Sequence, residues 1–145
     1  MKLTSSAFEH GKEMPSEYTC DGIDISPELH IENVPKNAKS LALIMDDPDA
    51  PMGTFVHWVV WNIPIDTKII KKGAEPKGIE GKTNSGRTGY GGPCPPSGTH
   101  RYFFKVYALD MVLTLKEGST KKDLEAAMQN HIIEKAEIMG TYGRK

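Results

Sequence analysis

The chain has almost no net charge, few cysteines and no long apolar run, and each shortage removes a class of protein. Eighteen Lys+Arg stand against nineteen Asp+Glu, for a formal net charge of -1. No overall field therefore draws in nucleic acid or an anionic lipid surface, and any anion must be met by local groups. Nowhere do about 18 apolar residues run together, the length a membrane helix needs, so integral membrane association is not expected. Lys2, Glu9, His10 and Lys12 interrupt the amino-terminal stretch, which does not read as a signal peptide. The expectation is a cytoplasmic protein. Its two cysteines, Cys20 and Cys94, would then be free thiols, because the cytosol keeps thiols reduced.

A length of 145 residues fits one domain able to bury roughly 70% of the surface its unfolded chain exposes. No repeat or low-complexity tract divides it, and residues 1–145 read as a single unit. Short apolar runs bounded by Gly, Pro, Asn and Asp recur, the pattern of an all-β sandwich or barrel. The clearest are Ser40 to Met45, Phe55 to Ile63 and Arg101 to Leu109. Between Thr120 and Gly140 the apolar residues Leu124, Met128, Ile132, Ala136 and Met139 fall three and four apart, predicting one amphipathic helix. Thr120 and Asp123 suit a capping box at its start, and Gly140 suits a left-handed stop. Asp66 to Pro96 reads as a long loop with one short strand. Its lysines Lys68, Lys71, Lys72, Lys77 and Lys82 read as a solvated surface.

Side chains alternate faces along a strand, so parity shows which polar residues share a row with the core. The row Leu41, Leu43, Met45 continues to Asp47, with Asp49 next in parity. Phe55, His57, Val59, Trp61 and Ile63 form one row of the second strand, and Val56, Trp58 and Val60 the other. In the third, His100 shares the row of Tyr102, Phe104, Val106 and Ala108, opposite Arg101, Phe103, Lys105, Tyr107 and Leu109. Strand ends carrying Asp47, His57, His100 and Tyr102 beside two Pro/Gly-rich loops have the look of a polar pocket at the rim of a core. The aromatic residues Trp58, Trp61, Phe103 and Tyr107 read as packing between layers in a sheet covered on both faces.

Two segments flank these strands. Asp46-Asp47-Pro48-Asp49-Ala50-Pro51 holds acids at a corner stiffened by proline. Gly91-Gly92-Pro93-Cys94-Pro95-Pro96-Ser97-Gly98-Thr99-His100-Arg101-Tyr102 exposes backbone N–H groups that could cradle an anion. Together, D-P-D-A-P, a His-bearing apolar strand and G-P-x-P-P-x-G-x-H-R-Y resemble the phosphatidylethanolamine-binding protein family, which includes the Raf kinase inhibitor protein. Tyr18-Thr19-Cys20-Asp21-Gly22, Val56-His57-Trp58-Val59-Val60-Trp61-Asn62 and Gly86-Arg87-Thr88-Gly89-Tyr90 resemble its short prokaryotic branch. The resemblance implies a mostly β, Greek-key sandwich with a small-anion pocket for phosphate, carboxylate or a phosphorylated headgroup. It implies ligand-binding roles for Asp47, Asp49, His57, His100 and Tyr102, with Gly91, Gly92 and Pro96 at the mouth. It also implies a cis bond at Ala50-Pro51 and a kinase-like protein partner. Larger eukaryotic members continue past the last helix, whereas here only Gly140 to Lys145 follow Met139.

In such a pocket, one carboxyl of the Asp47/Asp49 pair would be protonated by desolvation and like charge. Histidines held by Asp would donate as cations, so anion binding is expected to tighten below about pH 6.5. No cofactor or metal and no catalytic role are expected. The alternatives use the same residues. One is a hydrolase with His57 or His100 as base and Asp47 orienting it, for which no nucleophile elbow is evident. The other is a zinc site of Cys20, Cys94, His57 and His100, whose spacing matches no short metal motif. A homodimer is a reasonable assembly, since closed two-fold dimers are the commonest.

Overall fold

A computed structural model describes residues 1–144. Two sheets form its frame. The larger has five strands, β3 (Ser40–Asp47), β4 (Phe55–Ile63), β6 (Ile79–Glu80), β7 (Thr99–Leu109) and β8 (Ile132–Gly143), in the order β6-β4-β3-β7-β8. The smaller pairs β1 (Lys2–Thr4), β2 (Leu29–Glu32) and β5 (Ile69–Ile70) in the order β1-β2-β5. All the named strand pairings are antiparallel.

The central strand β3 is buried along its whole length, which requires cover on both faces. On one face Leu41, Leu43, Met45, Trp58, Val60, Phe104 and Val106 pack against Leu3, Leu29, Ile31 and Ile70 of the smaller sheet. On the other, Ala42, Ile44, Val59, Trp61, Tyr107 and Leu109 pack against Leu113 and the helix α1 (Lys121–Met128) through Leu124 and Met128. Trp58 and Trp61 are fully buried, as the two-faced apolar pattern predicts. Fully burying one such side chain stabilises by roughly 1.5–3 kcal/mol.

The helix begins where expected. Thr120 accepts from Asp123 N while Asp123 accepts from Thr120 N, completing the capping box. It does not reach Gly140. The chain reverses through Asn130, at φ 68°, and continues as β8, which pairs with β7 from Gly143 opposite Thr99 to Ile132 opposite Leu109. A spacing of four residues satisfies both a helical turn and a two-residue strand repeat, which is why Ile132 and Ala136 looked helical. Gly140 is therefore a strand residue. A Cβ there would lie 2.6 Å from Met14 Cγ and 2.8 Å from Phe8 Cε2, so close packing, and not a left-handed turn, requires glycine.

The stretch from Asp66 to Pro96 holds two short strands, β5 and β6, where one was expected; its five lysines are exposed. No cis peptide bond occurs among the described residues, so Ala50-Pro51 is trans. Cys20 and Cys94 are joined in a disulfide with their Cα atoms 5.4 Å apart, which overturns the expectation of free thiols. The inference from compartment chemistry failed because the fold brings together two loops far apart in sequence. No helix among the described residues is long and apolar enough to cross a membrane.

Candidate functional site

At the end of the large sheet that holds Asp47, Phe55 and His100, a cavity of about 440 Å³ opens between the sheet and two loops. Three neighbouring strands supply its polar groups. Asp47 ends β3, His57 lies near the start of β4 and His100 starts β7. His100 Nδ1 lies 2.7 Å from Asp47 Oδ2, with both side chains nearly buried. Asp47 Oδ1 accepts from the backbone N–H of Asp49 at 2.8 Å. The corner of the D-P-D-A-P segment thus fixes the carboxylate that orients the His100 ring.

Strand parity placed His57 with Val59 and Trp61, whose side chains lie on the helix side. The structure places it on the other face. Between β3 and β4 the register passes from Met45 opposite Trp58 to Asp46 opposite Val56, leaving His57 as the extra residue of a bulge. A bulge re-aims a side chain by breaking strict alternation. His57 therefore meets Tyr102 edge-on at 5.4 Å between ring centroids and Phe55 at 4.8 Å. Its Nδ1 lies 2.7 Å from the Gly91 carbonyl, while Gly91 N–H donates back to the His57 carbonyl at 3.0 Å.

These partners settle the tautomers. A carbonyl and a carboxylate oxygen can only accept, so both rings donate from Nδ1. Each Nε2 has no protein partner, and no fully buried side-chain N or O is left unpaired among the described residues. Both Nε2 atoms therefore open to the cavity that the two rings line. Burial pushes the pKa of His57 below its usual value, against the opposing effect of the Gly91 bond and nearby Asp47. His57 is thus a neutral acceptor near pH 7. Tyr102 is held protonated by burial and by the charges of Asp47 and Asp49, leaving its hydroxyl as a donor.

Of the residues singled out in the sequence, Asp47, His57, Gly91, Gly92, Pro96, His100 and Tyr102 line this cavity. Asp49 does not. Its two oxygens receive Arg101 Nε at 2.9 Å, Arg101 NH2 at 2.8 Å and Arg101 N at 2.9 Å. The Arg101 side chain lowers its pKa to about 2. The expected sharing of a proton between Asp47 and Asp49 is therefore absent, because Arg101 keeps Asp49 ionised and turned away. The zinc set does not assemble either, since Cys20 and Cys94 are bonded to each other.

The loop wall is tied from several sides. Gly92 N–H donates to Asp24 Oδ1 at 2.9 Å, Cys20 N–H to the Pro93 carbonyl at 3.1 Å, and the Tyr90 hydroxyl to the Tyr18 carbonyl at 2.7 Å. Gly92 is needed for this approach, because a Cβ would sit 2.2 Å from Asp24 Oδ1 and 2.3 Å from the Tyr18 carbonyl oxygen. Sequence reasoning did not single out Asp24 or Arg87 as lining residues, though both are. Asp24, at φ 64°, carried no signal beyond a turn-rich neighbourhood. Arg87 lies in the glycine-flanked stretch Gly86 to Tyr90, outside any regular strand, where parity gives a side chain no direction.

The family model described as phosphatidylethanolamine-binding protein matches residues 4–143. A UPF0098 protein of Pyrococcus abyssi is 50% identical over 154 residues, covering 100% of this chain and 86% of that protein. Another, from Chlamydia trachomatis, is 46% identical over 147 residues, covering 98% of each. The crystal structure of a putative phosphatidylethanolamine-binding protein homolog from Chlamydia trachomatis superposes with a TM-score of 0.96 at 45% identity, covering 99% of this chain and 97% of that one. Escherichia coli YbcL, described as a new member of the mammalian PEBP family, gives 0.92 at 30% identity, with 99% and 98% covered.

Proposed function

This chain belongs to the phosphatidylethanolamine-binding protein family, and from its cavity we propose that it binds a small anion, a phosphate, carboxylate or phosphorylated headgroup, as a regulatory module rather than an enzyme. The supporting observation is the pair of imidazoles, each tied through Nδ1 to an acceptor and lining one cavity with Tyr102. Tyr102 donates its O–H. An anion that still carries a proton, such as the monoanion of phosphate, gives that O–H to an Nε2. A fully ionised anion needs a ring to be protonated first, and Asp47 stands ready to hold the resulting His100 cation in a charge-assisted bond. Binding of a fully ionised anion therefore takes up a proton and strengthens as pH falls.

The cavity hydroxyls favour binding over hydrolysis. Thr83 Oγ1 and Ser85 Oγ bond each other at 2.8 Å, and Thr83 Oγ1 donates to the Arg87 carbonyl at 2.9 Å. Neither these two nor Thr88, the third aliphatic hydroxyl of the lining, is bonded to a ring nitrogen among the described residues, and the thiols that could have served as nucleophiles are oxidised. A protein partner of the kinase type, whose activity depends on occupancy of the cavity, belongs to this proposal. A purified candidate kinase assayed with and without phosphate-loaded protein tests that part.

Calorimetric titration with phosphate, acetate and phosphoethanolamine between pH 5 and 8, in buffers of different ionisation heat, tests the site itself. Saturable binding with proton uptake is expected, weakened about ten-fold or more in His100→Gln, the scale of one charge-assisted hydrogen bond. Tyr102→Phe, which removes only a hydroxyl, should weaken it less. A flat profile over that range, or unchanged affinity in both variants, would sink the proposal.

A further inference from the structure

The chain has three arginines. Arg101 is paired with Asp49 and Arg144 with Asp21. Arg87 is the exception: among the described residues its guanidinium has no carboxylate partner, and it is the one Lys or Arg lining the cavity. Its placement is not that of a loose surface side chain. The Arg87 carbonyl accepts from Thr83 N at 2.8 Å and Thr83 Oγ1 at 2.9 Å, and Gly86, at φ 84°, closes the turn by donating to the Thr83 carbonyl at 3.0 Å. Thr83 is buried. The turn is then clamped to the strand that carries His57, because Asn84 N donates to the Val56 carbonyl at 3.1 Å and Val56 N to Asn84 Oδ1 at 2.6 Å. The backbone bearing Arg87 is thus fixed relative to the imidazole of His57, the residue next to the clamped Val56.

The size of the cavity adds a second consideration. At about 440 Å³ it lies in the range that encloses small organic molecules, and a lone phosphate or acetate on the two rings would leave most of it unfilled. The remaining wall offers Asp24, whose Oδ1 is engaged by Gly92 N–H, and Arg87, whose fork of donors is free. A guanidinium suits a carboxylate or phosphate by bidentate geometry.

Building on the proposed anion site, we infer that Arg87 is a second anchor, and that the ligand carries two anionic groups, one at the His57/His100 pair and one at Arg87. A short phosphorylated carboxylate has that chemistry. A zwitterionic headgroup has no second anion, so it would leave the Arg87 donors unused.

The test is a calorimetric titration of the full chain near pH 6 with inorganic phosphate, phosphoglycolate and phosphoethanolamine, comparing wild type with Arg87→Ala and Arg87→Lys. Wild type should bind phosphoglycolate about ten-fold or more tighter than phosphate, the gain of one charge-assisted hydrogen-bonding contact. In Arg87→Ala that ratio should fall to about two-fold or less, and Arg87→Lys should restore part of it as a point charge. Phosphate bound with no gain for phosphoglycolate, an equal gain in Arg87→Ala, or a preference for phosphoethanolamine each overturns the second anchor and leaves the anion site standing. Failure of all three probes to bind overturns both readings. Arg87 is exposed, so its variants should fold, which circular dichroism checks.

Discussion

Removing the disulfide separates two roles that a cross-link in a binding loop can have. Cys20 and Cys94 close a loop of 74 residues in sequence separation. In the chain-entropy picture a loop of that length constrains the unfolded state by about 4.5 kcal/mol at 25 °C. An unfolding entropy of about 2.1 cal/mol/K per residue gives about 0.3 kcal/mol/K for this chain, so loss of the bond should lower Tm by about 15 °C. Both sulfurs belong to exposed residues, so the double variant Cys20→Ser, Cys94→Ser buries no unpaired hydroxyl. The native wall keeps other ties after reduction: Gly92 N–H to Asp24, Cys20 N–H to Pro93 and Tyr90 to Tyr18. Phosphate affinity should therefore change by less than about three-fold, which is under 1 kcal/mol. Scanning calorimetry of both forms, with phosphate titration below the lower Tm, reads the two effects apart. A Tm change under about 3 °C accompanied by lost binding would refute the reasoning, since the bond would then be holding the cavity wall and not limiting the unfolded chain.

Four further outcomes follow from the geometry. Gly92→Ala should lose roughly 1–3 kcal/mol or more of stability in urea denaturation through overpacking, because its new Cβ meets Asp24 Oδ1 and the Tyr18 carbonyl at 2.2 and 2.3 Å. Gly91→Ala meets only the His57 carbonyl oxygen at 3.9 Å and should be tolerated; equal losses at both positions would refute this account of the wall. Asp49→Asn breaks a partly exposed pair with Arg101, so it should cost no more than about 1 kcal/mol and leave phosphate affinity nearly unchanged, unlike His100→Gln. His57 has a folded pKa below its unfolded value of 6.5, so burying it neutral costs nothing above pH 6.5. Stability is lost as pH falls from there through the folded pKa, and urea midpoints between pH 7 and 5 should fall less in His57→Gln than in wild type.

Alternation was legible wherever a strand was regular. In β7 the two rows separate as parity predicts, Tyr102, Phe104, Val106 and Ala108 toward the smaller sheet and Tyr107 and Leu109 toward the helix. The inward row of β3 ends at Asp47 as expected. What failed was the carboxyl-terminal third. Leu124 and Met128 are helical, but Ala136, Ile138, Gly140 and Tyr142 are buried every second residue, a repeat present in the sequence but hidden by four-residue spacings common to both periods. Asn130 at φ 68° marks the reversal, and a single Asn is a weak stop signal beside so many apolar matches.

The site was legible for a different reason, and in one place by a compensating error. Parity assigned His57 the correct polar company but the wrong face, since its row of Val59 and Trp61 packs under the helix. Only the bulge that leaves His57 without its own partner in β3 brings it to the cavity. Asp49 shows the converse, sharing the parity of Asp47 but lying past a turn, where Arg101 captures it. Side-chain direction survives in sequence only while the pleat is unbroken, and this cavity is built where it breaks, at a bulge, a proline corner and a cross-linked loop. Arg87 belongs to the same class, since its position depends on a Thr83–Arg87 turn clamped to Val56. A reading limited to strand rows can locate the two histidines of the cavity but not Arg87 in its loop wall, whose place in the lining becomes visible only in three dimensions.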